Sequence, residues 1–274
     1  MSAVKKYLKE ETQWKQLGFE HLKSPDFYLS PWQRNRSSVP LLIFRMFLFL
    51  GTLAIVIASM VYYIQNAMYR FWFIYLTHWG LTVILLTTGF ATAVSARCHF
   101  YGPLSAEFCL PWYVKTFWVL YNISVPIGFL ITIFYWSVLY EAGIEEEMNH
   151  GLDVAVHALN SVIVFLLLIT SKHPSRLLHF HHAIVFCFIY LIFNLIYHFA
   201  GGKNPDGDSW IYPVIDWSKP GVTIGIVACV ALLLVILHMI TVGLAAARDR
   251  IASRVLHPTD SGKTEQLPLR QQQA

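Results

Sequence analysis

The sequence predicts an all-α membrane protein, a six-transmembrane-helix bundle with both termini cytosolic. Three observations carry this. The 274-residue chain is 56% hydrophobic and 13% charged, with a mean hydropathy of +0.50, whereas soluble domains carry about 25% charged residues. Six apolar runs, near residues 40–62, 72–95, 113–138, 152–170, 179–199 and 220–246, are each long enough to cross about 30 Å of hydrocarbon. None of them shows the period-2 alternation of a barrel strand, and a helix is the other way to satisfy backbone groups within lipid.

The elements follow in order. Residues 1–39 form a polar arm in which Trp14, Leu17, Phe19 and Leu22 alternate with charges, a pattern suited to a short interfacial helix lying on the membrane before Pro31-Trp32. No cleavable signal is expected there, because the first helix itself would direct insertion. Residues 40–246 are the transmembrane domain. In its third run Pro126 should kink the helix and free a backbone carbonyl that Asn122 is placed to help satisfy. In the sixth run Gly221 and Gly225 form a small-xxx-small pair expected to let another helix approach closely, within this chain or in a dimer, with internal packing the favoured reading. Trp72, Trp79, Trp112, Trp136, Trp210 and Trp217 fall near helix ends, where indoles sit at headgroup level. The Gly201–Asp208 turn breaks any helix with its Gly, Pro and Asp content. Residues 247–274 form a polar cytosolic tail, expected to be disordered.

Charge sets the orientation. Lys5, Lys6, Lys9, Lys15, Lys23, Arg34 and Arg36 precede the first helix, and Arg248, Arg250, Arg254, Lys263 and Arg270 follow the last. Arg97 and Lys115 flank the second connection and Lys172 and Arg176 the fourth, whereas the third has Glu141, Glu145, Glu146 and Glu147 and no Lys or Arg. The positive-inside rule therefore places both ends in the cytosol. The net charge of +4 is a topology signal spread over separate segments, so no nucleic-acid partner is expected. The four cysteines form no disulfide framework, and juxtamembrane Cys98 is a candidate for palmitoylation. The sequons at Asn35 and Asn122 fall in the arm and within a helix, away from the glycosylation machinery.

The candidate chemistry lies near the outer face. An ionisable group at mid-bilayer costs about 2.5 kcal/mol or more, so an intramembrane histidine needs a cavity, a partner or a job. His157 is such a residue. Thr77 lies at the same depth in another helix, about 7–8 Å below the outer boundary at 1.5 Å rise per residue. A threonine hydroxyl becomes a nucleophile when an adjacent base takes its proton, and neutral imidazole is the usual base. Asp153, four residues before His157 and on the same helix face, is placed to orient the ring. Asn160, Asn194, Tyr197 and His198 are expected to line a cavity at this level. The structural alternative for Thr77 is a back-bond to the Phe73 carbonyl. A second reading makes His150, Asp153, His157 and His198 zinc ligands, but no familiar spacing supports it, so no metal and no cofactor is expected. His173, His179, His181 and His182 with Lys172 and Arg176 read as interfacial residues near anionic headgroups.

Several short motifs carry a resemblance. Leu17-Gly18-Phe19-Glu20-His21, Ser30-Pro31-Trp32-Gln33, Tyr75-Leu76-Thr77, His157 followed by Ser171-Lys172-His173-Pro174-Ser175-Arg176, and Trp210-Ile211-Tyr212-Pro213 resemble the rolling stone family over nearly the whole hydrophobic chain. That resemblance implies a multi-pass plasma-membrane protein acting in myoblast (cell–cell) fusion during muscle development, with membrane lipids and proteins of the apposed cell as partners. A more distant likeness is to the androgen-induced and androgen-dependent six-helix membrane hydrolases. Through Thr77 and His157 it implies the alternative, a Thr–His hydrolase of long-chain lipid esters, namely fatty acid esters of hydroxy fatty acids. Two positions depart from the hydrolases: Ala158-Leu159-Asn160 replaces a Thr-Thr pair, and Asp153 stands where an amide is expected. A transporter or channel fits less well, since Asp153 is the one intramembrane carboxylate and no inverted repeat is evident.

Overall fold

A computed structural model describes residues 5, 9–104, 109–140 and 149–256. Among them every regular element is helical: α1 (Val39–Gln65), α2 (Leu76–Tyr101), α3 (Trp112–Phe134), α4 (His150–His157), α5 (Leu159–Thr170), α6 (Phe180–Phe199) and α7 (Pro220–Leu256). Six stretches are long and apolar enough to cross a membrane, with α4 and α5 jointly making the fourth. The hydropathy reading located all six. It shortened the last, because α7 continues as a helix to Leu256 through a stretch in which charged residues interrupt the apolar run. The expected disorder beyond His257 and the acidic run at Glu141 to Glu147 lie outside the described residues.

The hub is α3. Of its most apolar window 61% is buried, against 17% for the stretch containing α6 and 22% for α7. Two glycines set how closely its neighbours approach. A Cβ on Gly80 of α2 would collide with Ile131, and one on Gly128 of α3 would sit 2.8 Å from Val164 of α5. The Gly221 and Gly225 pair behaves differently, since a Cβ on either would meet nothing within 4 Å. That face of α7 is open, contrary to the expectation of close internal packing. Phe47, Ile64, Phe188, Ile196 and Leu232 point outward, where hydrocarbon accepts them without cost.

The two ends of the bundle differ. At one end, the arm end, lie the start of α1 and the ends of α2, α5 and α7. Arg45 of α1 donates to the Phe27 carbonyl (2.8 Å), the Ala91 carbonyl (3.1 Å) and Ser95 Oγ (2.8 Å), and reaches Ser171 Oγ at 3.4 Å. The Phe27 contact ties the arm, expected as a short interfacial helix, to the bundle. The arm has two 3₁₀ turns, Trp14–Leu17 and Ser24–Phe27, and is docked into the bundle. Phe27 is fully buried against Trp118 and His173, Ser24 Oγ donates to the Leu104 carbonyl (2.7 Å), and Trp32 Nε1 donates to the Ile169 carbonyl (2.6 Å). The sequence pattern missed this because the residues that bind the arm, Arg45 and His173, are not themselves apolar.

At the far end three departures from regular α-helix cluster. A 3₁₀ segment, Tyr69–Ile74, leads into α2. A π turn, Tyr135–Leu139, ends α3, with the Tyr140 amide bonded to the Tyr135 carbonyl five residues back (2.9 Å). The fourth span breaks at Ala158 (φ −117°, ψ −44°). Irregular backbone at membrane depth is tolerated where protein buries it, and π turns recur at functional sites. Trp72, within the 3₁₀ segment, is buried in protein, while Trp112 is exposed.

Candidate functional site

Thr77 stands on the first turn of α2, which the extended backbone of Tyr75 (φ −86°, ψ 132°) introduces. Back-bonding to Phe73 does not occur, because the Phe73 carbonyl accepts the Trp79 indole N–H at 2.7 Å. Among the described residues the Thr77 hydroxyl has no hydrogen-bond partner, and its amide, at the N-terminus of α2, has no backbone acceptor. The preceding amide, of Leu76, donates to the Tyr212 hydroxyl (2.9 Å). Thr77 thus brings a free O–H and N–H to the wall of a cavity of about 170 Å³ between α2, α3, α6 and α7. The rest of that wall is almost wholly apolar, with Leu130, Phe134, Ile184, Leu191 and Val230 among its members. Aliphatic cavities near this size, about 150 Å³, stay dry and admit an apolar guest.

His157 ends α4. The break after it releases its carbonyl, which accepts the Thr132 hydroxyl at 2.6 Å. Its Nδ1 lies 2.8 Å from Asp153 Oδ1, both side chains buried, so the predicted orienting pair is formed. That bond places the ring proton on Nδ1 and leaves Nε2 as the basic nitrogen. The imidazole stacks face to face on Tyr135, with centroids 3.5 Å apart and 3° between planes. Tyr135 is the link between the two halves of the site, since it also lines the cavity that Thr77 faces. No hydrogen bond joins Thr77 to His157 among the described residues. The nucleophile–base contact predicted from shared depth is therefore not made in this conformation, and His157 lies behind the tyrosine ring.

The four residues expected to line the cavity lie elsewhere. Asn160 Oδ1 accepts from Thr132 Oγ1 (3.0 Å) and the Ser161 amide (2.6 Å), sealing the helix break. Asn194 Oδ1 accepts the Trp217 indole N–H at 2.7 Å. The Tyr197 hydroxyl donates to the Lys203 carbonyl (2.8 Å) and His198 Nδ1 donates to the Ser209 carbonyl (2.9 Å), so both hold the far-end loop. Their shared depth reflected a packing seam. The residues of the zinc alternative are not gathered, with His157 Nδ1 on Asp153 and His198 on the far-end loop. Among the described residues no group of three metal-ligating side chains occurs.

One buried histidine escaped the sequence reading. His78 adjoins Thr77 and is 2% exposed. Its Nδ1 donates to the Trp72 carbonyl (2.7 Å), its Nε2 accepts the Ser59 hydroxyl (3.2 Å), and its ring stacks on Trp72 at 4.6 Å. Ser59 in turn accepts the Trp72 indole N–H at 3.0 Å, closing a ring of bonds that pins the 3₁₀ segment to α1. The argument applied to His157, an ionisable group inside an apolar run, identifies His78 equally well.

A family model described as protein rolling stone matches residues 2–262 of the chain. The chain belongs to the rolling stone family. A relative in Drosophila melanogaster, protein rolling stone, is 26% identical over 224 residues, covering 78% of this chain and 80% of its own. No solved structure matches.

In this rolling stone family member the second histidine cluster also sits differently from expectation. His173 and His179 are fully buried, not placed among headgroups. His173 stacks on Phe27 and packs edge-on to Tyr121 (4.4 Å), and His179 Nδ1 pairs with Asn122 Nδ2 at 3.0 Å. Asn122 therefore serves α6 and not the carbonyl freed by Pro126. Burial, reinforced by the positive charges of Arg45 and Arg248, holds the His173 pKa well below 6.5. Arg176 bonds Gln16 and the Glu20 carbonyl of the arm and lies over the Trp118 ring at 5.2 Å. Cys98 is 7% exposed, which removes it from reach of an acyltransferase.

Proposed function

We propose that this chain is a plasma-membrane protein with cytosolic termini that acts in cell–cell fusion of the myoblast type. Family membership across residues 2–262 carries the reading. The far-end chamber supports it: an apolar cavity between lipid-facing helices suits an acyl chain of the outer leaflet, and remodelling that leaflet is a physical requirement of fusion. The partners in this reading are membrane lipids and proteins of the apposed cell. The test is rescue. Myoblasts lacking their own rolling stone protein are given this chain at matched surface density, and nuclei per syncytium are counted. Restored fusion supports the role; normal surface delivery without rescue overturns it.

One observation keeps a second reading in view, in which Thr77 is the nucleophile of a lipid ester hydrolase. Its hydroxyl and amide are free at an apolar wall, and the N-terminus of α2 would favour an oxyanion there. The base would be His157, which requires Tyr135 to swing aside. Membranes bearing wild type, Thr77→Val and His157→Ala are assayed against fatty acid esters of hydroxy fatty acids. Loss of wild-type turnover in both variants supports it, and absence of wild-type turnover removes it.

A further inference from the structure

The arm end holds a concentration of buried polar atoms that no protein group satisfies. Arg45 is fully buried, and all of its acceptors are neutral: two carbonyls and two serine hydroxyls. No carboxylate reaches it among the described residues. Arg248 of α7 is 3% exposed; its Nε meets Asp249 (2.8 Å), its Nη1 the Leu168 carbonyl (2.8 Å), and its Nη2 has no partner. Close by, the Tyr121 hydroxyl faces both the Ser175 hydroxyl and the Arg248 guanidinium. None of these three atoms has a hydrogen bond of normal distance and angle. His173, within electrostatic reach of both arginines, has neither ring nitrogen paired.

A buried guanidinium without a counter-charge is costly, and its neighbours here are hydroxyl and imidazole groups able to donate. They come from four parts of the chain: α1, α3, the segment after α5, and α7. Donors converging from several directions suit an anion whose oxygens are spread in three dimensions. We propose that Arg45, Tyr121, His173, Ser175 and Arg248 form an internal site for a tetrahedral oxyanion of the phosphate class. The N-terminal arm roofs it through Phe27. A cleft of about 450 Å³ opens at the same end, with His21, Lys23 and Lys172 on its walls together with Glu20, Asp26 and Asp249, and its Pro174 lies between His173 and Ser175 in the chain. Asp26 is held by His21 (2.8 Å) and Lys172 (3.2 Å), and Asp249 engages only the Nε of Arg248 (2.8 Å), which leaves Arg248 Nη2 for the anion.

The phosphate has two possible sources, a free ion and a phospholipid headgroup, and the experiment separates them. Full-length protein in a phospholipid-free detergent is titrated with inorganic phosphate at constant ionic strength, and thermal unfolding is followed by tryptophan fluorescence. Equilibrium dialysis against labelled phosphate gives the stoichiometry. A saturable stabilisation with one phosphate bound is expected, the folded-to-unfolded ratio rising about 100-fold at 100 times Kd. Ser175→Ala should weaken it and Arg248→Met abolish it. Where free phosphate has no effect, nanodiscs containing phosphatidic acid are compared with phosphatidylcholine alone, and selective stabilisation by phosphatidic acid assigns the site to a headgroup. No saturable response to either source overturns the site, as does an equal response in Arg248→Met. Where that variant does not fold, an unchanged affinity in Ser175→Ala and His173→Asn has the same force.

Discussion

Replacing Phe27 by alanine should undock the N-terminal arm without unfolding the bundle. Phe27 is fully buried, its ring 5.3 Å from Trp118 at 67°, stacked on His173 at 5.3 Å and edge-on to His21 at 5.7 Å. Truncating a buried phenylalanine costs about 3–5 kcal/mol, from lost transfer energy and the cavity left behind. The substitution keeps the backbone carbonyl that Arg45 binds, so it isolates packing from the hydrogen bond. If the arm opens as a unit, each 1.4 kcal/mol multiplies the open fraction tenfold. The expected increase is about 10²- to 4 × 10³-fold. Hydrogen exchange at the Tyr28 and Leu29 amides, both bonded to the Pro25 carbonyl, reads that fraction directly, and trypsin cleavage at Lys23 reads it independently. Unchanged exchange at both amides in the variant would refute the docked arm. Exchange raised equally in α3 would show that arm and bundle open together.

Other perturbations test separate contacts. His173 is held neutral by burial and the neighbouring arginines, so its pKa is lowered in the folded state; the unfolded chain then binds the extra proton, and stability falls as pH drops below about 6.5, by up to about 1.4 kcal/mol per unit. His173→Phe should flatten that part of a thermal-unfolding pH profile, and an unaltered slope would assign it elsewhere. Gly128→Ala places a methyl 2.8 Å from Val164 and should cost about 1–3 kcal/mol, most of it recovered in the Gly128→Ala/Val164→Ala double variant. Asp153→Asn should be nearly neutral, since an amide oxygen still accepts from His157 Nδ1, whereas Asp153→Ala leaves a buried N–H without its acceptor and should cost about 1–3 kcal/mol; equal effects would dismiss the pair. Thr132→Val leaves the His157 carbonyl without its 2.6 Å donor and should cost about 1–3 kcal/mol, with Thr132→Ser close to wild type in the same melts.

Much of the architecture was legible in the sequence because the signal for a membrane helix is length and apolarity, which any run of about 20 residues displays. The Asp153–His157 pair was legible for a similar reason, as two polar residues four apart in one helix must share a face. Thr77 was legible by its depth and its motif. What failed was lateral placement. Depth fixes a residue's height and leaves its azimuth free, so Asn160, Asn194, Tyr197 and His198 shared a level with Thr77 without sharing its cavity. The Tyr135 ring between Thr77 and His157 was hidden because it comes from a third helix, whose azimuth relative to the other two the sequence does not fix. The arm was misplaced because its binding partners are a buried arginine and a buried histidine, which patterning assigns to the surface.

The irregular backbone of the far end explains why the cavity exists where it does. Straight continuation of α3 past Phe134 would keep the regular i→i−4 register, and an unbroken fourth span would point His157 along its own helix. Tyr135 still bonds the Ile131 carbonyl in regular register and stacks on the imidazole, the π turn widens the helix just beyond it, and the break at Ala158 lets Thr132, Asn160 and Ser161 take up the freed polar groups. Those polar atoms are consumed behind Tyr135, which leaves its other surroundings apolar. The chamber in front of the ring is therefore greasy although it adjoins a buried Asp–His pair, and Tyr135 decides whether the two communicate. Tyr135→Ala joins them into one space and Tyr135→Phe keeps them apart, so this pair of variants separates a gate from a permanent wall in either functional assay.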